Sequence, residues 1–113
     1  MGNVDEVYHV EIAPAANDQM YTHVEFLARV DADAAAKMLD KFLQDIHSLE
    51  KLPQLNPPYN RAYLPVGKYR YKVSGRRYLI IFQVVGQCVY VDEIRDCRQR
   101  EESGPIFQLW DER

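Results

Sequence analysis

The residues best suited to chemistry are two cations on a stretch that alternates with tyrosine. In Tyr69-Arg70-Tyr71-Lys72, charged and aromatic side chains follow each other with a period of two, which is typical of a β-strand. Because they alternate with the tyrosines, Arg70 and Lys72 are expected to share the solvent face of that strand. Two cations on one open face could meet an anionic partner. A solvated face whose charges serve solubility alone is the alternative that this pattern leaves open.

Further basic residues surround this stretch in the sequence. Each could contact a nucleic-acid backbone, and they are Arg61, Lys68, Arg76, Arg77 and Arg95. Tyrosines lie among the first of them, and aromatic rings between cations can stack on bases. A tyrosine on an amphipathic strand is more often a core residue with a wet hydroxyl, so stacking is the weaker interpretation.

Charge is unevenly distributed along the chain. The net charge is −3, which by itself argues against a nucleic-acid partner. Residues 1–58 nevertheless carry four basic and ten acidic side chains, whereas residues 59–100 carry nine basic and three acidic ones. Residues 101–113 are acidic again, with four acidic side chains and one basic. The central excess of cations indicates a cationic working surface.

Composition narrows the class of protein. The chain has 113 residues, 47% of them hydrophobic, which is enough for one domain with one core. No apolar run is long enough to span a membrane, and the acidic N-terminus is unlike a secretory signal, so a cytoplasmic location is expected. Cys88 and Cys97 lie nine residues apart and share no ligand spacing with a histidine. We therefore expect free thiols, no metal and no cofactor.

The first half of the chain is predicted to form a strand and two helices. Val7-Tyr8-His9-Val10-Glu11-Ile12 alternates as a half-buried strand does, and Pro14 can open a helix. Either Asp31 or Asp33 can cap the next helix, which is predicted over residues 34–50 from its apolar stripe. Two helices joined by a few residues should form an antiparallel hairpin.

The second half has the period of strands. Prolines at positions 53, 57 and 58 end the helical part and predict an extended loop. Three strands follow, separated by turn signals at Ser74-Gly75 and Gly86-Gln87. The expected fold is therefore α+β, an N-terminal strand and a helical hairpin packed on a largely antiparallel sheet of three to four strands. Residues 1–100 are predicted to form the single domain, and residues 101–113 a tail with an apolar patch that folds back or contacts a second subunit.

Three local patterns, in this order, resemble the RelE/ParE toxin superfamily. Leu49-Glu50-Lys51-Leu52-Pro53 is similar to the end of the family's second helix. Tyr69-Arg70-Tyr71-Lys72-Val73 and Arg77-Tyr78-Leu79-Ile80-Ile81-Phe82 are similar to its paired strands. Val89-Tyr90-Val91-Asp92-Glu93-Ile94, followed by Arg95-Asp96-Cys97-Arg98-Gln99, is similar to its last strand and terminal signature. Each motif is short, and their order and spacing over about residues 7–100 carry the resemblance.

The resemblance implies the toxin of a bacterial type II toxin–antitoxin (plasmid stabilisation) system, neutralised by a cognate antitoxin. Members of one branch, RelE-like, are metal-independent endoribonucleases that cleave messenger RNA on the ribosome. Members of the other branch, ParE-like, inhibit DNA gyrase by binding it. A homodimer is left open. Fold alone cannot choose between the branches, because function depends on the site.

The resemblance also assigns roles to particular residues. Arg70, Lys72 and Arg98 match cations that bind and stabilise phosphate in the nuclease branch, and Asp96 stands where many members have histidine and could act as a base. Leu79 departs from the pattern, since RelE-like enzymes carry arginine there, and Glu101-Glu102-Ser103 replaces a late tyrosine or histidine. These departures favour the ParE-like or an undefined branch. A ribosome-dependent nuclease and a toxin fold without activity are the alternatives.

Overall fold

Two helices and four strands follow one another in the computed structural model, which describes residues 6–97. In chain order they are β1 (His9–Ile12), α1 (Pro14–Ala28), α2 (Ala32–His47), β2 (Tyr69–Ser74), β3 (Tyr78–Val85) and β4 (Cys88–Asp96). Two short 3-10 turns, Ser48–Glu50 and Pro53–Leu55, lead out of α2. No helix among the described residues is long and apolar enough to cross a bilayer.

Both helices begin at the signals that the sequence supplies. Pro14 occupies the first turn of α1, where its missing N–H costs no hydrogen bond. Asp31 caps α2, and its carboxylate accepts a hydrogen bond from the Ala34 N–H at 3.0 Å. The predicted helix of residues 34–50 is confirmed in its course, but its last turn is a 3-10 turn rather than α-helix.

The strands form one sheet in the order β1-β4-β3-β2. The pairs β2–β3 and β3–β4 are antiparallel hairpins whose turns contain Gly75 and Gly86 at positive φ, 64° and 59°. The N-terminal strand β1 is parallel to β4 and pairs with its first half, from Cys88 to Val91. The expected α+β fold, with a helical hairpin on a largely antiparallel sheet, is confirmed.

The hydrophobic core lies between the helical hairpin and one face of the sheet. Its buried residues come from every layer, with Met20 on α1, Phe42 and Ile46 on α2, and Ile80 and Phe82 on β3. Cross-strand partners share a face, so Val91 opposite Phe82 and Ile94 opposite Ile80 also face the helices. This face is the helix-covered face, and the opposite one is the open face.

The orientation of β2 corrects one expectation from the sequence. Arg70 pairs with Phe82 and Lys72 with Ile80, so both cations share a face, but it is the helix-covered one, where they are half-buried. The tyrosines between them lie on the open face instead. A period of two shows which residues share a face and not which face the helices cover. β2 is the last strand of the sheet, and there the apolar stems of long basic side chains can cover the margin of the core while their charged ends reach solvent.

A bulge separates the two halves of β4. Glu93 pairs with Ile81 and Val91 pairs with Phe82, which leaves Asp92 as the extra residue. Beyond β1, the outer edge of β4 is covered by α1: Gln19 Oε1 accepts the Ile94 N–H at 2.8 Å, and His23 Nε2 lies 3.0 Å from the Ile94 carbonyl oxygen. Side chains of a helix thus satisfy the backbone groups that a strand would otherwise pair.

Candidate functional site

A groove opens between the helical hairpin and the β2–β3 turn. Its volume is about 410 Å³, and its walls come from the end of α1, residues 34–42 of α2 and residues 74–78. Apolar side chains line it, and four basic residues stand among its lining residues. We call it the cationic groove, and the residues that define it are Leu27, Ala34, Lys37, Met38, Lys41, Phe42, Ser74, Gly75, Arg76, Arg77 and Tyr78.

Local sequence explains how the groove is built. Ala34, Met38 and Lys41 recur at spacings of three and four residues, so α2 turns them toward the same side. The opposite wall is the three-residue hairpin turn of residues 75–77, which needs Gly75 because its φ is 64°. Ser74, next to this turn, is 1% exposed and its hydroxyl oxygen has no hydrogen-bond partner.

The four cations of the groove differ in the contacts that they already make within the chain. Lys41 Nζ donates to Asp45 Oδ1 at 3.2 Å, while the second carboxylate oxygen of Asp45 is buried without a hydrogen bond. The Arg77 guanidinium lies 5.5 Å from the centre of the Tyr78 ring. Within residues 6–97, no ion pair involves Lys37 or Arg76. The groove therefore keeps two cations available for a partner, one on each wall.

Arg70 and Lys72, which the sequence nominated for phosphate chemistry, stand outside this groove. Arg70 Nη1 donates a 2.7 Å hydrogen bond to the Asn56 carbonyl oxygen and so fastens the loop after α2 to β2. Next to it, the isolated bridge between Pro58 and Arg70 extends the sheet by one more pair. Lys72 is half-buried on the same face.

The other nominated catalytic residues are not assembled with Arg70. Asp96 is 4% exposed and pairs with Tyr78 on β3. Arg70 pairs with Phe82, which lies four residues further along the same strand. Four residues of strand span roughly 13 Å, so the Asp96 backbone is at least that far along the sheet from Arg70. Arg98 lies outside the described residues. Among the nominated residues that are described, the structure brings together only Arg70 and Lys72.

The predicted nucleic-acid-binding residues are distributed over three places. Arg76 and Arg77 line the groove. Arg61 and Lys68 lie at the other end of β2, where the Arg61 guanidinium is 4.4 Å from the Tyr59 ring centre and Lys68 Nζ is 5.3 Å from that of Tyr69. Arg95 is buried on the open face, with its Nε 3.5 Å from Glu93 Oε2. These five cations form no single stripe.

The open face carries its own polar pairs. Gln83 Nε2 donates to Asp92 Oδ2 at 2.7 Å, beside the bulge. The thiol of Cys88 hydrogen-bonds with Tyr90, and this bond, more than the other causes, raises the pKa of the Tyr90 hydroxyl above its usual 10.0. Within residues 6–97, no cluster of three histidine, cysteine or carboxylate side chains is placed to hold a metal ion.

Lys37 and Lys41 are the site residues that sequence reasoning missed. Both are exposed on α2, as charged residues beside an apolar stripe commonly are. The signal that could have found them is their spacing of one turn beside Met38, because it puts two cations next to an apolar side chain on one flank of the helix.

Fold and groove together define a small α+β protein with a basic, apolar-lined recess at one end of a helical hairpin. Comparison with known proteins gives the family. Residues 10–101 match the ParE toxin of the type II toxin–antitoxin system parDE, and the chain belongs to this family. It is the toxin of such a system, in the ParE-like branch of the RelE/ParE superfamily.

One solved structure supports the fold independently. It is described as the chromosomal ParDE TA system from P. aeruginosa, and the match has a TM-score of 0.68 over 81% of this chain and 98% of that chain. The sequence identity is 12%, so the similarity concerns the fold. No curated protein sequence matches the chain.

Proposed function

We propose that this toxin acts by binding a protein, with DNA gyrase as the target, and that a cognate antitoxin neutralises it in the cytoplasm. The observation that carries this proposal is the nature of the accessible site, a recess with an apolar lining and cations on two walls. Such a surface suits a protein partner, because apolar anchors bury area while charged groups at the margin orient the partner.

The arrangement of the nominated catalytic residues supports the same choice. Cleavage of RNA by attack of the 2′-hydroxyl on the neighbouring phosphate needs a base for that hydroxyl, an acid for the leaving oxygen and cations around the phosphate. Here the Arg70 guanidinium is bonded to a backbone carbonyl, and the Asp96 carboxylate is buried further along the sheet. Leu79, on β3, contributes no cation. A single phosphate could not contact this set as the strands place it.

The test is a supercoiling assay with purified DNA gyrase and the purified chain. We expect relaxed plasmid to stay relaxed as the chain approaches molar equivalence with gyrase, and supercoiling to return when the antitoxin is added first. Unchanged supercoiling at a several-fold molar excess of chain would remove gyrase as the target. A heat-unfolded sample of the same chain is the control for nonspecific inhibition.

Expression in bacteria separates the remaining alternatives. The proposal predicts growth arrest without new messenger RNA 5′ ends in the first minutes. New ends at consistent codon positions would instead establish the ribosome-dependent nuclease. Growth without any arrest would show that this fold has kept no toxicity.

A further inference from the structure

We propose that the C-terminal tail, residues 101–113, docks in the cationic groove of its own chain and inhibits the toxin by competing there with the target. The docking of the tail concerns this chain alone and is tested without gyrase. The competition rests on the proposed function, since it requires that gyrase binds at the same groove.

β4 brings the chain to the rim of the groove. Just after this strand, the Cys97 N–H donates at 2.7 Å to the carbonyl oxygen of Arg77, a residue that lines the groove. Residues 98–113 follow and lie outside the described residues. Ile106, the first large apolar residue among them, is nine positions after Cys97, and nine extended residues span at most about 30 Å. The groove is therefore within reach of the tail of the same chain.

The tail supplies apolar groups, and the groove can bury them. Four large apolar side chains stand within five positions of the tail, and they are Ile106, Phe107, Leu109 and Trp110. The interior of the groove is apolar in turn, with lining side chains that include Leu27, Met38, Phe42 and Tyr78. Transfer of apolar side chains from water into such a recess is favourable, and this drives the docking.

Charges in the tail and in the groove are opposite in sign and similarly arranged. One pair of carboxylates precedes the apolar residues of the tail and a second pair follows them, namely Glu101, Glu102, Asp111 and Glu112. The groove has one pair of cations on each wall, Lys37 with Lys41 and Arg76 with Arg77. Within residues 6–97, Lys37 and Arg76 make no ion pair, so they are the cations that the carboxylates of the tail would meet.

A buried polar group in the groove also calls for a partner. The Ser74 hydroxyl lines the groove, is 1% exposed and has no hydrogen-bond partner. Buried polar groups are normally satisfied. Among its apolar residues the tail carries one polar side chain, Gln108, whose amide can both donate and accept. A docked tail thus offers both the apolar surface and the polar group that this recess requires.

A segment of the same chain has an advantage over a separate partner. A short linker gives the docked segment an effective concentration in roughly the millimolar range. A target that needs the groove must displace the tail, so its apparent affinity falls in proportion to the fraction of chains whose groove is empty. The tail thereby raises the concentration of toxin that is needed to inhibit gyrase.

The first experiment uses the fluorescence of Trp110 in the full chain. Trp110 is the only tryptophan, so its emission reports on the tail. We expect emission at shorter wavelength than that of tryptophan in water, and weak quenching by acrylamide, because the docked ring is shielded from solvent. Lys37→Glu and Arg76→Glu should each shift the ratio of docked to undocked tail about tenfold toward undocked, which equals about 1.4 kcal/mol. Emission should then move to longer wavelength and quenching should increase.

Matched variants test whether the groove is the place of docking. Lys51→Glu changes an equally exposed lysine beyond the far end of α2 and should leave the emission of Trp110 unchanged. Ala34 lines the groove, whereas Ala36 is exposed on another side of α2. Ala34→Leu should fill part of the recess and expose Trp110 to the quencher, while Ala36→Leu should not.

The second experiment measures the competition with the supercoiling assay. Leu109→Asp places a carboxylate among the apolar residues of the tail and should release it from the groove. The concentration of chain that halves supercoiling should then fall about tenfold. Ser103→Asp adds the same carboxylate outside the apolar residues and is the matched control, with an expected change of less than twofold.

The outcomes separate the two parts of the proposal. Trp110 that is quenched as strongly as free tryptophan overturns the docking, and so does a shielded Trp110 that is insensitive to Lys37→Glu and Ala34→Leu. Shielding that is lost on dilution would assign the tail to a second copy of the chain and overturn docking within one chain. Leu109→Asp that inhibits gyrase no better than the original chain overturns the competition. A chain with a shielded, groove-sensitive Trp110 that never inhibits gyrase contradicts the proposed function and supports the docking.

Discussion

Arg70 illustrates how the surroundings of one residue change the role that its type suggests. An arginine on a tyrosine-rich strand is a plausible phosphate ligand, but here its guanidinium bonds the Asn56 carbonyl at 2.7 Å on a half-buried face. A hydrogen bond from a charged donor contributes about 1.5–3 kcal/mol to stability. Arg70 is therefore expected to hold the loop after α2 against β2.

The variant Arg70→Ala tests this role. It should lower the free energy of unfolding by about 1.5 kcal/mol, because the Asn56 carbonyl loses its donor. Toxicity at a permissive temperature should persist. Lys68→Ala, an exposed cation two residues away, should change stability by less than about 0.5 kcal/mol. Urea denaturation gives the stability, and growth of the expressing strain gives the toxicity. Loss of toxicity with unchanged stability would instead give Arg70 a direct part in toxicity.

At the scale of elements, α1 both packs on the sheet and protects an edge of it. Edge strands expose unpaired N–H and C=O groups that invite pairing with other chains. β1 covers β4 only as far as Val91, and further along β4 the backbone N–H and C=O of Ile94 are met by Gln19 and His23 of α1. A short N-terminal strand is sufficient because the helix that follows it completes the cover.

Removing one of these contacts has a measurable consequence. Gln19→Ala leaves the part-buried Ile94 N–H without its acceptor, which should cost about 1–3 kcal/mol. Gln44→Ala, at an exposed position of α2, is the matched control and should be close to neutral. Amide exchange should accelerate at Ile94 in the first variant only. Equal exchange in both variants would show that the Gln19 contact does not protect this edge.

The elements were more predictable than their arrangement. The apolar stripe of α2 and its Asp31 cap are local signals, so the helix could be placed from sequence. The face of β2 on which Arg70 lies could not be predicted, because alternation of residue types does not show which of the two faces packs against the helices. Lys37 and Arg76 are 39 positions apart, and only the packing of α2 across the β2–β3 turn makes them neighbours of one groove.

At the scale of the whole molecule, one core joins all the elements. The buried cluster includes Tyr8 from the N-terminal segment, Met20, Phe42 and residues of β3 and β4. Helices and sheet consequently have no separate cores, and unfolding should be a single cooperative transition, as in most small domains. The groove shares this property, because Phe42 both lines it and belongs to the core.

Phe42 is therefore the position where a single change should affect the entire molecule. It is 1% exposed and contacts the Tyr78 ring edge-on at 5.2 Å, so Phe42→Ala should cost about 3–5 kcal/mol. Phe26→Ala is the matched control, since Phe26 is 69% exposed on α1 and should cost well under 1 kcal/mol. Total stabilities of about 5–15 kcal/mol make the first loss large. Far-ultraviolet circular dichroism, which follows the helices, and near-ultraviolet circular dichroism, which follows the tyrosines, should report the same lowered midpoint of unfolding. Two separate midpoints would show that the hairpin and the sheet are not coupled through Phe42, and the groove between them would then have to be formed by the partner that binds it.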